Sequence, residues 1–403
     1  MAERDPLDPR IPVTLLTGFL GAGKTTLLNR LVTHPDMSGT ALLINEFGTV
    51  GIDHHLVERI GETMMLLDSG CVCCTVRGDL VEALEHLHGK LARRQIPDIR
   101  RVVIETTGLA DPVPVVWTLM EQRFVAARFR CDGVVTLVDA RLGADQLERH
   151  EEARRQVAMA DRILLTKPDL ADRDAHERLA ARLDVLNPSA PRLATAHGEI
   201  EPGRILGAGL YAPGSRPAEV ARWADEAEAA ARDGTAPPSA HAAGAPPASF
   251  TCFFTRQVSW RGFAVAMGGI LSDYGAALLR VKGLMNVAGL GGPVVVQCVE
   301  RVAYPPVRLP RWPAEGTRFD MRGRLVFIAR DLPEAAMDDI RRRLDDLPGD
   351  AAALRIAARA PMLPTRCWLG ARMPVRGRAA VETDGWHVQA LRLGATRGAA
   401  SQP

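Results

Sequence analysis

The sequence predicts an α/β chain: a doubly wound, mostly parallel sheet domain followed by a second, smaller α+β domain. Three observations carry this. Apolar runs without alternation recur between positions 13 and 165, the pattern of strands covered on both faces. Helical stretches separate them, giving the strand–helix alternation of a parallel sheet. A segment rich in Ala, Pro and Gly, 233–249, reads as a flexible spacer before a half that mixes strand and helix signals. The length, 403 residues, suits two or three domains at ~100–200 residues each.

In chain order, Val13-Thr14-Leu15-Leu16 reads as a buried strand and 26–32 as an amphipathic helix. Between them lies Gly18-Phe19-Leu20-Gly21-Ala22-Gly23-Lys24-Thr25. This is the G-x-x-x-x-G-K-[ST] phosphate-binding loop, in the strand–loop–helix setting it requires. Gly18, Gly21 and Gly23 let the backbone curl until its N–H groups face phosphate, and the helix N-terminus adds partial positive charge. Lys24 would reach the β- and γ-phosphates, and the Thr25 hydroxyl would bind Mg²⁺. Further strands are expected at 41–44, 102–104, 134–138 and 163–165, with helices over 79–91 and 147–158. The first domain is expected over 10–205, a linker over 206–249, the α+β domain over 250–348 and a basic tail over 349–403. In the second domain, strand signals fall in 250–260 and helix signals in 272–281 and 334–344.

Composition excludes several classes. With 50 basic and 48 acidic residues, the net charge of +2 leaves no electrostatic footprint for nucleic acid or a membrane surface. No apolar run approaches the ~18–20 residues of a membrane span. The acidic start, Met1-Ala2-Glu3-Arg4-Asp5-Pro6, lacks the apolar stretch of a signal peptide. Seven cysteines, three of them within four residues, make a poor disulfide framework, so a reducing cytoplasm is expected. Of the basic residues 46 are Arg, and the four lysines are Lys24, Lys90, Lys167 and Lys282. A lysine kept against such a bias is a candidate for a role that guanidinium cannot fill.

In a doubly wound fold the ligand sits at the carboxyl ends of strands. The strand at 102–104 ends in Glu105-Thr106-Thr107-Gly108, where Glu105 can hold Mg²⁺ through a water and Gly108 lets the backbone approach a γ-phosphate. The strand at 163–165 ends in Thr166-Lys167-Pro168-Asp169, the [NT]-K-x-D pattern. An Asp there accepts hydrogen bonds from the N1–H and exocyclic amine of guanine, a donor pair adenine lacks, so Asp169 selects GTP over ATP. Gly70-Cys71-Val72-Cys73-Cys74 is the second strong signal. Thiolates of Cys71, Cys73 and Cys74 suit Zn²⁺ or Cu(I), and three cannot complete a tetrahedral site. A fourth ligand would come from a side chain, water or a partner. A redox sensor and a turn of small residues are the competing readings. The cysteines lie between the glycine-rich loop and Glu105, where related nucleotide switches keep segments ordered by the γ-phosphate.

Read together with Asn45-Glu46-Phe47-Gly48 and the continuation through Leu109-Ala110-Asp111-Pro112, these motifs resemble the CobW-like metallochaperone GTPases. That family is related to the nickel-insertion GTPases of urease and hydrogenase. The resemblance runs from about Pro12 to Leu344. It implies a P-loop GTPase that uses GTP and Mg²⁺, carries a transition metal, most often Zn²⁺, and delivers it to the apoenzyme of a client metalloprotein. A homodimer is a further partner to test. Thr26 joins the nucleotide contacts, and Thr195-Ala196-His197-Gly198 resembles a late base-site loop that brings in His197. Arg280-Val281-Lys282-Gly283 and 324–328 resemble signatures of the family's C-terminal domain.

Three departures stand out. Thr49 replaces a glutamate that many relatives carry and Ile44 one that some carry, which leaves Glu46 as the nearest candidate for the fourth metal ligand. The linker holds only His241, with no His-rich metal reservoir. The stretch 351–403, with eight arginines and two acids, does not resemble the family. Competing functions are a P-loop kinase or ATPase with a structural metal, a passive zinc-binding protein, and a cobalt-related or nitrile hydratase activator. Outside the motifs, His86 and His88 read as surface residues, Asp139 as structural, and Cys131, Cys252, Cys298 and Cys367 as core or inert.

Overall fold

The computed structural model describes residues 8–44, 64–68, 76–207, 248–309, 312, 321–360 and 362–369. Its first strand, β1, spans Ile11–Gly18, and every residue from Val13 onward is buried. A strand covered on both faces has no solvent side to mark with polar residues, hence the unbroken apolar run. β2 (Thr40–Ile44), β3 (Met64–Asp68), β4 (Arg101–Glu105), β5 (Phe129–Asp139), β6 (Arg162–Thr166) and β7 (Arg192–Thr195) complete a seven-stranded sheet ordered β3-β2-β4-β1-β5-β6-β7. All its pairings are parallel. The five expected strands are all present. β3 and β7 are additions at the two edges, and β7 is only partly covered, so it carries no apolar run.

The intervening helices are α1 (Lys24–Leu31), α2 (Val76–Ala92), α3 (Val113–Glu121), α4 (Arg123–Arg128), α5 (Gly143–Arg149), α6 (Glu151–Met159), α7 (Arg173–Leu186) and α8 (Pro202–Ile205). The single helix expected over 147–158 is instead two, α5 and α6, broken at His150. His150 is extended, with φ −120° and ψ 122°. Its ring stacks on Phe19 of the glycine-rich loop at a centroid distance of 4.5 Å. Glu151 and Glu152 then give α6 an acidic first turn that suits its N-terminal dipole.

The second domain is an antiparallel sheet of β8 (Ala248–Phe254), β9 (Leu278–Met285), β10 (Val294–Val299), β11 (Val302–Ala303), β12 (Val307–Arg308) and β13 (Gly323–Ala329). Its helices are α9 (Trp260–Tyr274), α10 (Glu334–Asp345), α11 (Asp350–Arg359) and α12 (Arg366–Leu369). Two expectations are corrected here. The strand signal over 250–260 ends at Phe254, and the helix expected over 272–281 lies earlier, at 260–274. Ser259 starts that helix by accepting the Gly262 N–H, and residues from Leu278 onward are fully buried strand. The helix at 334–344 is present as α10. Part of the expected tail is structured: Trp368 is fully buried against Trp260 and Phe263, and its carbonyl accepts the Trp260 indole N–H at 2.8 Å.

The domains meet where the turn between α6 and β6 is sealed against β9. There Asp161 Oδ1 takes Arg280 and Lys282, the latter at 3.3 Å, while Asp161 Oδ2 accepts the Val134 N–H at 3.0 Å. Arg280 also donates to the Met159 carbonyl. All three charged side chains are buried. Burial pushes the Asp161 pKa up, but Arg280 and Lys282 outweigh it and hold the carboxyl below its ordinary value. Among the described residues no helix is long and apolar enough to cross a membrane.

Candidate functional site

β1 delivers the chain into the glycine-rich loop. At Gly18, with φ +148°, a Cβ would stand 2.5 Å from the Leu137 carbonyl oxygen of β5, so any side chain would collide with backbone. Gly23, with φ +89°, caps α1 in a left-handed conformation that suits glycine. Among the described residues no side chain caps α1, and its first turn holds no acid, so its N–H end keeps its partial positive charge. The Lys24 ammonium donates to the carbonyls of Gly18 at 2.7 Å and Phe19 at 3.3 Å, which holds it over the loop. Thr25 and Thr26 follow on the first turn, half-buried and exposed respectively.

β4 ends in Glu105, a buried carboxyl in register with Leu16 and Ile44. The Thr106 hydroxyl then donates to Thr17 at 2.8 Å and ties the next loop to β1. Gly108 lies against the glycine-rich loop: a Cβ there would sit 2.8 Å from the Leu20 nitrogen. Gln156, fully buried on α6, donates through Nε2 to the carbonyls of Gly108 at 3.0 Å and Ala110 at 3.1 Å. Beside it, Arg155 grips Asp111 Oδ2 at 2.7 Å.

β6 ends in Thr166, whose hydroxyl donates to the Ala22 carbonyl at 2.8 Å. Lys167 takes φ +52° and donates to the Gly21 carbonyl and to Asp139 Oδ2, each at 2.7 Å. Asp139 in turn accepts the N–H groups of Arg141 and Leu142, which makes it the fixed anchor of that lysine. Asp169 follows, exposed, in the short turn Pro168–Leu170. After β7, Gly198 packs so closely on α1 that a Cβ would stand 3.0 Å from the Thr26 carbonyl oxygen, and exposed His197 precedes it. The expected nucleotide residues therefore gather at the carboxyl edges of β1, β4, β6 and β7.

Cys71, Cys73, Cys74 and Glu46 lie outside the described residues. The strands that lead toward them are described: Ile44 at the end of β2 pairs with both Asp68 and Glu105. The other cysteines favour the neutral thiol, whereas a metal takes the thiolate. Burial pushes the Cys131 and Cys252 thiols up to about 12 and Cys298 well above its ordinary value. Cys367, expected as core or inert, is exposed, although neighbouring atoms still push its thiol up to about 11. His86 is exposed and His88 packs edge-on against Phe124 and Phe129.

Among the described residues, His34, Asp36 and Glu201 bring ligand-type atoms within 4.8 Å of one another. His34 Nδ1 accepts the Asp36 N–H at 3.2 Å, so the ring proton sits on Nε2, which faces Glu201 at 3.5 Å. Both ring nitrogens thus already face protein groups, and Asp36 and Glu201 are exposed. Sequence reasoning missed Thr17, Gln156 and the Asp161 clasp. The one signal toward the clasp was Lys282, a lysine in a chain of arginines.

Comparison with known proteins adds three findings. A family model described as CobW/HypB/UreG, nucleotide-binding domain, matches residues 12–194, and the cobalamin synthesis protein cobW C-terminal domain matches 248–347. Zinc chaperone YjiA of Escherichia coli is 42% identical over 196 residues, 49% of this chain and 61% of its own length. Zinc-regulated GTPase metalloprotein activator 1 of Schizosaccharomyces pombe is 34% identical over 203 residues, 48% of each chain. These matches span about half to three fifths of the curated relatives' length. The crystal structure of Zn(II)-bound YjiA GTPase from E. coli superposes with a TM-score of 0.59 at 28% identity, covering 84% of this chain and 99% of that one.

Proposed function

The chain belongs to the CobW-like family, with a CobW/HypB/UreG nucleotide-binding domain joined to a CobW C-terminal domain, and from that premise we propose that it is a GTP-hydrolysing metallochaperone. Its cargo is Zn²⁺, held by the thiolates of Cys71, Cys73 and Cys74 with Glu46 as fourth ligand, and its partner is a client apoprotein in the cytoplasm. The observation that carries the nucleotide half is the locking of the Thr166-Lys167-Pro168-Asp169 segment into the glycine-rich loop. Thr166 bonds Ala22 and Lys167 bonds Gly21, which ties the proposed base loop to the proposed phosphate loop and supports this reading. The names of the relatives support the zinc half.

The donor set fits Mg²⁺-GTP. Thr25 and Glu105 offer the hard oxygens that Mg²⁺ prefers, and when bound the ion neutralises charge on the β- and γ-phosphates. Lys24 exchanges the Gly18 and Phe19 carbonyls for phosphate oxygens. Asp169, exposed, accepts the guanine N1–H and amine. Gly108 presents its N–H where the γ-phosphate would end. His197 and Thr26 flank the base side. The soft thiolates hold the cargo in the segment between the strands that end at Ile44 and Glu105.

The test is Zn²⁺ affinity of the metal-free protein, by chelator competition, with Mg²⁺ and either GDP or a non-hydrolysable GTP analogue. A difference of roughly tenfold, about 1.4 kcal/mol of coupling, is expected. Equal affinities overturn nucleotide-gated delivery. In the same assay series Lys24→Ala abolishes hydrolysis, and unchanged turnover would sink the nucleotide assignment.

A further inference from the structure

We infer that helix α6 couples the loop at 108–111 to the second domain, with Gln156 as the positioning residue at the loop end and Asp161 as the clasp at the domain end; the inference rests on the guanine-nucleotide reading above. α6 touches the nucleotide loops at its start and its centre. His150, which begins it, stacks on Phe19 of the glycine-rich loop. Gln156 and Arg155, adjacent in sequence, hold the next loop by two backbone carbonyls and by the Asp111 carboxylate. The Gln156 backbone carbonyl also accepts the Thr136 hydroxyl at 2.8 Å, which fixes the helix on β5. A loop that turns its backbone toward a γ-phosphate cannot move without changing these bonds.

The same helix touches the second domain at both ends. At its start Glu151 takes Arg330, just past β13, at 2.8 Å. At its end the Met159 carbonyl and Asp161 take Arg280 and Lys282 from β9. Ala158 packs with Leu279 and Ile328 beside them. Nine helical residues, about 13 Å of hydrogen-bonded rod, separate the two attachments. Such an element moves as a unit, so a displacement at Gly108 reaches β9. A purely structural Gln156, present only to satisfy two buried carbonyls, would fold the loop equally well in every nucleotide state.

The experiment uses the full chain with Mg²⁺ and either GDP or a non-hydrolysable GTP analogue. Hydrogen exchange of the β9 amides and steady-state GTP hydrolysis are measured in the wild type, Gln156→Leu and Asp161→Asn. In the wild type, β9 exchanges at different rates in the two nucleotide states. In Gln156→Leu that difference vanishes and kcat falls roughly tenfold to a hundredfold, the loss expected of a misplaced reacting loop, while KM and GDP affinity stay within about twofold. Asp161→Asn loses the difference in β9 with hydrolysis near the wild-type rate. A wild type that hydrolyses GTP yet shows identical β9 exchange in both states overturns the coupling and leaves the GTPase reading standing. Survival of the difference in Gln156→Leu overturns the role of Gln156. A wild type that neither binds nor hydrolyses guanine nucleotides overturns the reading and the coupling together.

Discussion

Strand β6 has a lysine–aspartate pair near each end. At its carboxyl end Lys167 meets Asp139 Oδ2 at 2.7 Å with 39% of the lysine side chain exposed. At its amino end Lys282 meets Asp161 Oδ1 at 3.3 Å, with 8% and 0% exposed. The first lysine has water as an alternative partner and can trade contacts when a ligand arrives. The second is buried in the joint between the domains. Its charges left water on folding, and only a complete set of bonds offsets that cost. The same two residue types therefore make a partly exposed tie to the glycine-rich loop at one edge of the sheet and a sealed domain joint at the other.

The largest expected break in this comparison is Asp161→Ala. It strands two buried cations and should lower stability by about 3–5 kcal/mol in denaturant unfolding. Asp139→Ala should cost less, about 1–3 kcal/mol, for two backbone N–H groups left without their acceptor, and should act mainly on guanine nucleotide affinity. Equal losses in the two variants would erase the distinction.

Acid sharpens it further. The folded pKa of Asp161 lies below its unfolded value. The stability it adds is thus present above about pH 4 and is lost as pH falls through the folded pKa. An unfolding series from pH 6 to pH 2 should fall off below about pH 4, and Asp161→Asn should flatten that limb. The smallest contrast is between lysines. Lys282→Arg forces a bulkier head into the sealed joint beside Arg280 and should cost about 1–3 kcal/mol. Lys90→Arg, in the last turn of α2, should stay within about 0.5 kcal/mol. Thermal unfolding of both variants measures the difference.

The two ends of β6 were not equally legible in the sequence. Thr166-Lys167-Pro168-Asp169 is contiguous and matches a short motif of fixed spacing, so it could be read at sight. The clasp joins residues 119 positions apart, and only the scarcity of lysine hinted at it. Gln156 was invisible for a different reason: its partners are backbone carbonyls, which any sequence supplies. The sheet order around β1 followed from apolar runs, but edge strand β7 is too open to have one. Helix α9 was misread because Trp260 to Leu271 is apolar on nearly every face as it packs on the sheet, which leaves no helical period to detect. The break at His150 depends on a ring in a distant loop, and local pattern cannot show it.

The burial of Trp368 sets an order of assembly during synthesis. The first domain has its last strand by Thr195, so that sheet can close while the rest of the chain is still being made. The second domain has to wait. Trp260 and Phe263 appear early in it, yet the ring that covers them arrives only with α12, more than a hundred residues later. Until then the newborn chain carries an open aromatic face on a sheet whose strands are already complete. A finished first domain would thus stand beside an unfinished one, whose joint residues Arg280 and Lys282 emerge well before the ring that seals its core.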